Sequence, residues 1–203
     1  MGWRPSLHAL LGGSPCVSCG APGGALCRPC AAGVGAPLAD EPVPGIARVV
    51  AAWAYAGAAR DLVLDLKLRA RREAAEPLVA AMAGAVWRAG TSADVLTWVP
   101  ARRTDVRRRG FDHAEVLARG LGRRLGLPAR PLLERVGRAP DQASLSARER
   151  RVNPAGGFRA RGSPAAVGVV DDLLTTGSTL TACAAALRAA GVPAVDGLVA
   201  CRA

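Results

Sequence analysis

With 203 residues the chain can bury one good core plus a small appendage. Half of it is apolar but 3% is aromatic, so Ala, Val and Leu must make that core, and no window approaches the ~18 uninterrupted apolar residues of a membrane span. Net charge is +11, with the single lysine Lys67 among 27 basic residues, a balance that draws polyanions such as nucleotides or nucleic acid.

The first residues, Met1-Gly2-Trp3-Arg4-Pro5-Ser6, match the bare myristoylation pattern but lack a long apolar signal core. With no other membrane cue that match reads as chance, and a cytoplasmic protein is the expectation. Four of the six cysteines follow in one short span, as Cys16-Val-Ser-Cys19 and Cys27-Arg-Pro-Cys30. Two C-x-x-C knuckles this close place four thiolates where a tetrahedral Zn²⁺ can take them, and Gly20, Gly23 and Gly24 permit the tight turns. A segment so poor in apolar residues would use the metal as its core. Two disulfides, or one redox pair, are the alternatives, although nothing indicates secretion.

Residues 31–48 are rich in Ala, Gly and Pro and read as a linker, so the expected division is a zinc module with its linker over 1–45 and a larger domain over 46–203. A strand is predicted over 49–55, helices over 58–68 and 78–87, and a buried strand over 95–99 that Pro100 stops. An arginine-rich turn runs on to Gly110. Asp112 is expected to cap a helix carrying Val116, Leu117, Leu121 and Leu125. A short strand near 132–136 precedes residues 137–157, whose weak periodicity predicts a long loop, uncommon unless it acts as a lid. The last unit is a strand, a turn, a helix ending at Gly191 and a strand over 194–200, with Cys183 and Cys201 as small buried residues. Strands alternating with helices imply a parallel sheet with ligands at the carboxyl ends of its strands. The arginine clusters at 69–72, 102–109 and 148–151 read equally as solvated faces or as anion sites.

The densest chemical signal is Val169-Val170-Asp171-Asp172-Leu173-Leu174-Thr175-Thr176-Gly177-Ser178-Thr179-Leu180. An apolar strand delivers two carboxylates, and a turn of hydroxyls and glycine opens a helix whose amino end and dipole favour an anion. The Walker lysine and the G-x-G-x-x-G fingerprint are both absent here. Carboxylates are unwelcome beside a polyphosphate but suit sugar hydroxyls or a divalent cation. One phosphate at the helix end and a diol at the strand end describe a ribose 5-phosphate group. An ordinary capped strand-to-helix turn explains one hydroxyl and leaves the two acids unexplained.

This segment resembles the phosphoribosyl pyrophosphate (PRPP) motif of type I phosphoribosyltransferases, Asp-Asp-x-x-Thr-Thr-Gly-x-Thr. Together with the cysteine knuckles, the chain looks like the ComF family over nearly its whole length. Tyr55-Ala56-Gly57, Leu66-Lys67, Val99-Pro100, Arg109-Gly110-Phe111-Asp112-His113, Gln142, Arg150, Asn153 and Phe158 also fit. Lys67-Leu68-Arg69-Ala70 departs from the common Lys-aromatic-x-Gly, and Thr97-Trp98-Val99-Pro100 from Val-Pro-Val-Pro. The resemblance implies an α/β fold: a type I phosphoribosyltransferase-like parallel sheet flanked by helices, with a small N-terminal four-cysteine zinc module.

It further implies a PRPP-binding transferase acting at C1 of PRPP with Mg²⁺. Asp171 and Asp172 would hold the ribose and favour the oxocarbenium-like state, and Thr175, Thr176, Gly177, Ser178 and Thr179 would hold the 5′-phosphate. Arg102 and Arg103 are the candidates for pyrophosphate, and Cys16, Cys19, Cys27 and Cys30 for structural Zn²⁺. His113 is expected to cap a helix or pack beside Phe111, and the acceptor to be read within 46–90. The rival readings are a non-catalytic PRPP sensor and a DNA-uptake accessory that engages single-stranded DNA or a competence helicase. The aromatics mostly sit in apolar stretches, which counts against base stacking.

Overall fold

The computed structural model describes residues 14–37, 41–136, 157–162 and 164–203. A short helix in the cysteine segment, α1 (Arg28–Ala32), is followed by strand β1 (Arg48–Ala54) and helix α2 (Gly57–Lys67). A single 3₁₀ turn, Arg72–Ala74, runs into α3 (Ala75–Ala89), which buries Leu78, Val79, Met82 and Val86 at helical spacing. Strand β2 (Val95–Trp98) leads to α4 (Arg103–Arg109) and α5 (His113–Leu125). Strands β3 (Leu133–Arg135) and β4 (Phe158–Ala160) form a small antiparallel pair. Strand β5 (Ala166–Leu174), helix α6 (Ser178–Ala189) and strand β6 (Ala194–Arg202) complete the fold.

The main sheet has the order β1-β6-β5-β2, and its three pairings are parallel. Strands covered on both faces read as unbroken apolar runs, and β5 does so up to Val170. Its alternation still sorts side chains: Val167 and Val169 join α6 in one core layer, and Val170 joins α3 and α5 in the other. Gly168 lets the neighbouring strands' side chains close over the middle of β5. A Cβ there would meet Leu96 at 2.8 Å and Leu198 at 3.0 Å.

The predicted parallel α/β sheet is present, with most elements within a few residues of expectation. Three points differ. The arginine-rich turn after Pro100 contains a two-turn helix, α4, whose one apolar residue, Val106, gives no periodicity to read. Asp105 in its first turn and Arg107, Arg108 and Arg109 in its last complement the helix dipole. The linker is also less free than its composition implied, since Val43 is buried against α6 residues and Ala47 N–H donates to Val195 O at 2.8 Å. Trp87, expected in an apolar stretch, is 66% exposed. The predicted loop at 137–157 falls almost wholly outside the described residues, as do Gln142, Arg150 and Asn153.

The cysteine segment packs on the same core as the sheet: Ala25 is buried there, with Val17, Leu26 and Val34 against it. Among the described residues no helix is long and apolar enough to cross a membrane.

Candidate functional site

The carboxyl ends of β5 and β2 lie side by side, and the predicted acids Asp171 and Asp172 stand there with the turn over residues 175–179. Asp171 and Asp172 lie in the carboxyl-terminal half of β5, just before Leu173 and Leu174, and Gly177 adopts a left-handed conformation (φ 75°) at the N-cap of α6. A Cβ on Gly177 would meet the Val43 methyls at 3.1 and 3.2 Å, so the turn requires glycine for both φ and space. Thr175, Thr176 and Ser178 are exposed and Thr179 is half-buried. Thr176 Oγ1 donates to Ser178 Oγ at 3.1 Å and accepts from Ser178 N–H at 3.5 Å, which arrays the hydroxyls around the amino end of the helix.

The two acids are held differently. Asp172 is nearly sealed, with its side chain 2% exposed. Lys67 Nζ, at the end of α2, donates to its Oδ1 at 3.2 Å and lies 3.1 Å from Oδ2. His113 Nε2, at the start of α5, is 3.4 Å from Oδ1. Proximity to Lys67 gives Oδ2 electrostatic support, yet this buried oxygen accepts no hydrogen bond. Burial pushes the Asp172 carboxyl up, but the His113 hydrogen bond and the nearby Lys67 ammonium outweigh it and hold the group below the usual carboxylate range. Asp171 Oδ1 accepts the Asp172 N–H at 2.9 Å. Burial, then the negative charge of Asp172, pushes Asp171 well above its ordinary value.

Behind this pair stands a second tier of contacts. Arg109 Nη1 lies 3.1 Å from His113 Nδ1 and donates to Lys67 O at 3.0 Å. Since a guanidinium only donates, Nδ1 accepts and the imidazole proton sits on Nε2, facing Asp172. Asp112 caps α5, its Oδ1 accepting from Ala114 N–H at 3.0 Å, while its Oδ2 accepts from Ala101 N–H at 2.8 Å and so fixes the turn after Pro100. The expected cap is therefore present. His113, however, does not act as a cap: it is part of the acid cluster. Its chemistry was invisible in sequence because nothing local marks the approach of α5 to β5.

Lys67 was also without an assigned role. Its turn is pinned by Asp65, fully buried, which pairs with Arg69 and with Arg71 at 2.9 Å, and by Arg72, which lies 5.0 Å from the centre of the Phe111 ring. Two members of that arginine cluster thus neutralise a buried acid. Ala70, where the resembled pattern has glycine, takes φ 56°. Arg102 and Arg103 stand exposed at the start of α4. A groove of about 600 Å³ lies between residues 34–37, β1 and the end of α3, but no residue of the β5–α6 turn lines it.

The four N-terminal cysteines converge, with their sulfurs within 4.8 Å of one another and Cys19 and Cys27 3.6 Å apart. A tetrahedral Zn–S₄ centre has an edge of about 3.8 Å, so the cluster fits that metal. All are free thiols. Burial raises Cys16, but backbone N–H groups of Cys27, Cys19 and Ser18 pull it down to about 6, the thiolate form a metal requires. Cys30 is pushed up to about 12 by the sulfurs of Cys19 and Cys27, a crowding that a bound cation relieves. Cys183 and Cys201 are buried as expected, and burial pushes Cys201 up to about 12.

No family model matches the chain. It is similar to Competence protein F of Haemophilus influenzae, 36% identical over 95 residues, which are 44% of this chain and 42% of that protein. Two solved structures share its fold at a TM-score of 0.50: the allosteric regulatory enzyme of purine biosynthesis (22% identity) and the glutamine PRPP amidotransferase of B. subtilis, solved with ADP and GMP (21% identity). Each match covers 68% of this chain and 30% of the solved one. The chain thus spans less than half the length of the relatives it matches. The ComF-like resemblance is borne out by the first, and the phosphoribosyltransferase-like sheet by the other two.

Proposed function

We propose that the chain binds PRPP at the β5–α6 turn and transfers its phosphoribosyl group at C1 to a base or an amine, or in the reverse direction from such a product to pyrophosphate. One observation carries this reading. A half-buried acid and a buried one stand near the carboxyl end of a central strand, and the amino end of α6 opens a few residues later through a left-handed glycine flanked by hydroxyls. Residues 175–179 suit the 5′-phosphate, with backbone N–H groups, hydroxyls and the helix dipole acting together. Asp171 and the Oδ2 of Asp172, which accepts no hydrogen bond, suit the ribose hydroxyls, and the carboxylate of Asp172, held in its ionised form, favours positive charge growing at C1.

In the reaction the C1–O bond to pyrophosphate breaks with its electron pair going to the pyrophosphate, and the acceptor's lone pair forms the new bond while its proton passes to water or to the departing pyrophosphate. Arg102 and Arg103, exposed beyond β2, suit the departing pyrophosphate. The oxygen donors of Asp171 and Asp172 fit a hard cation, and Mg²⁺ bound with PRPP supplies charge neutralisation on the leaving group. His113 serves by orienting Asp172, because its one proton is committed to that acid.

Calorimetric titration with PRPP and Mg²⁺, with pyrophosphate release assayed across acceptors, tests the proposal. The double variant Asp171→Asn/Asp172→Asn should lose at least a hundredfold in PRPP affinity, and unchanged affinity would refute the site.

In a second reading the site is a non-catalytic PRPP sensor and the chain a competence accessory that engages single-stranded DNA or a helicase; the curated relative's name, Competence protein F, supports the link to competence alone. Exposed Trp87 beside exposed Arg88 offers one stacking platform. PRPP binding without turnover, with steeply salt-dependent DNA binding, would favour it.

A further inference from the structure

We infer that Lys67 is a specificity-determining residue that makes the site prefer a pyrophosphate-bearing sugar phosphate over the plain one. The inference rests on the PRPP reading above. Lys67 occupies the acid that the ribose is to use, and its ammonium is within 3.2 Å of both oxygens of Asp172. Asp172 is 2% exposed, whereas the Lys67 side chain is 41% exposed, so the ammonium sits at the mouth of the cluster with its stem toward solvent.

The backbone beneath Lys67 is fixed. Its carbonyl accepts from Arg109, and the following turn is tied down through Asp65, Arg69 and Arg71. A fixed base and a four-carbon stem let the charge swing without disturbing the fold. When it swings away, Asp172 keeps its contact with His113 and is not stranded as an unpaired buried charge.

Residue type supports the same conclusion. The chain uses arginine at every other basic position, yet has its one lysine here. An arginine fork would bind a carboxylate bidentately and stay, while a compact ammonium makes a point contact that it can exchange.

Ribose 5-phosphate must compete with Lys67 for Asp172 and gives the displaced ammonium no partner on the C1 side. PRPP would supply one on the reading above, in which its pyrophosphate faces the turn after Pro100: Asp112 fixes that turn through the Ala101 N–H, and Arg109, three residues before Asp112, donates to the Lys67 carbonyl. Binding of the anion and release of the acid are then one event, and the pyrophosphate is what makes that event favourable.

The test is calorimetric titration of the full chain with PRPP and with ribose 5-phosphate, both in Mg²⁺. The quantity read is the ratio of the two Kd values in wild type and Lys67→Met. The expected result is a preference for PRPP reduced at least fivefold, through weaker PRPP binding with ribose 5-phosphate unchanged or tighter. A smaller change in the ratio, including equal losses for both ligands, overturns the inference and leaves the PRPP reading standing. Failure of the wild type to bind PRPP overturns that reading and this inference together. Lys67→Gln keeps a donor for Asp172 without the charge. It carries the same expectation and decides the matter should the methionine variant not melt cooperatively.

Discussion

Asp171 and Asp172 are adjacent in the chain and opposite in what they do to stability. Asp172 has a folded pKa below its unfolded value, so its contribution is present above about pH 4 and is lost as pH falls below that. Asp171 has a raised folded pKa. Folding therefore carries a cost above that pKa, which shrinks as pH falls and is gone below about pH 4. Asp171→Asn should raise the Tm at pH 7 by a few degrees, from about 1–2 kcal/mol, and the gain should vanish by pH 4. Thermal melts at the two pH values check it, and a lower Tm at pH 7 would contradict the assignment. Ala70, at φ 56°, is a second strained residue. Ala70→Gly should stabilise by roughly 0.5–1 kcal/mol in chemical denaturation, since the left-handed conformation costs an alanine about 1–2 kcal/mol and glycine's extra chain entropy offsets part of the relief. The acid pair was legible because it is local in sequence, whereas the strain at Ala70 was not foreseen, its one signal being an alanine where the resembled pattern has glycine. Lys67 and His113 were not, because Lys67 lies 105 residues from its partner and no repeat or spacing announces the meeting.

Among the elements, the turn between β5 and α6 is the least forgiving. Gly177→Ala meets both a disfavoured φ and the Val43 methyls, so it should cost about 1–3 kcal/mol and weaken PRPP binding at least tenfold with an unchanged far-UV spectrum. Retained affinity would show that the turn does not need this shape. The cap of α5 is a milder case. Asp112→Ala removes the bonds to Ala114 and Ala101, and urea unfolding should reveal a loss of about 1–2 kcal/mol. Helices with apolar residues three and four apart, such as α3 and α5, were readable in the sequence. The short α4 and β4 were not: one has a single apolar residue, and the other is three residues whose partner strand, β3, is distant in the chain.

For the molecule as a whole, alternating periodicity gave the parallel sheet, but its order, β1-β6-β5-β2, comes from packing that no single segment encodes. The cysteine module is joined to that packing. Ala25 is buried in the core of α2, α3 and α5, and Ser14 Oγ donates to Glu73 at 3.3 Å beside the Lys67 turn. Chelation, or Cys16→Ser, should therefore lower the Tm of one cooperative transition by several degrees. A separate early step in calorimetry would show instead that the module melts alone.

The outermost strands of the sheet bear on how the protein can be cut. At one border Leu96 of β2 exchanges hydrogen bonds with Pro128 and Arg130, and at the other Ala54 of β1 donates to Gly35. The second cover belongs to the segment just past the cysteines. A truncation that begins at residue 46 would leave β1 a bare template for strangers, and self-association during expression is the expected fate of such a fragment. The appendage is thus also a guard rail: it shields the border of the sheet that lies farthest from the turn between β5 and α6.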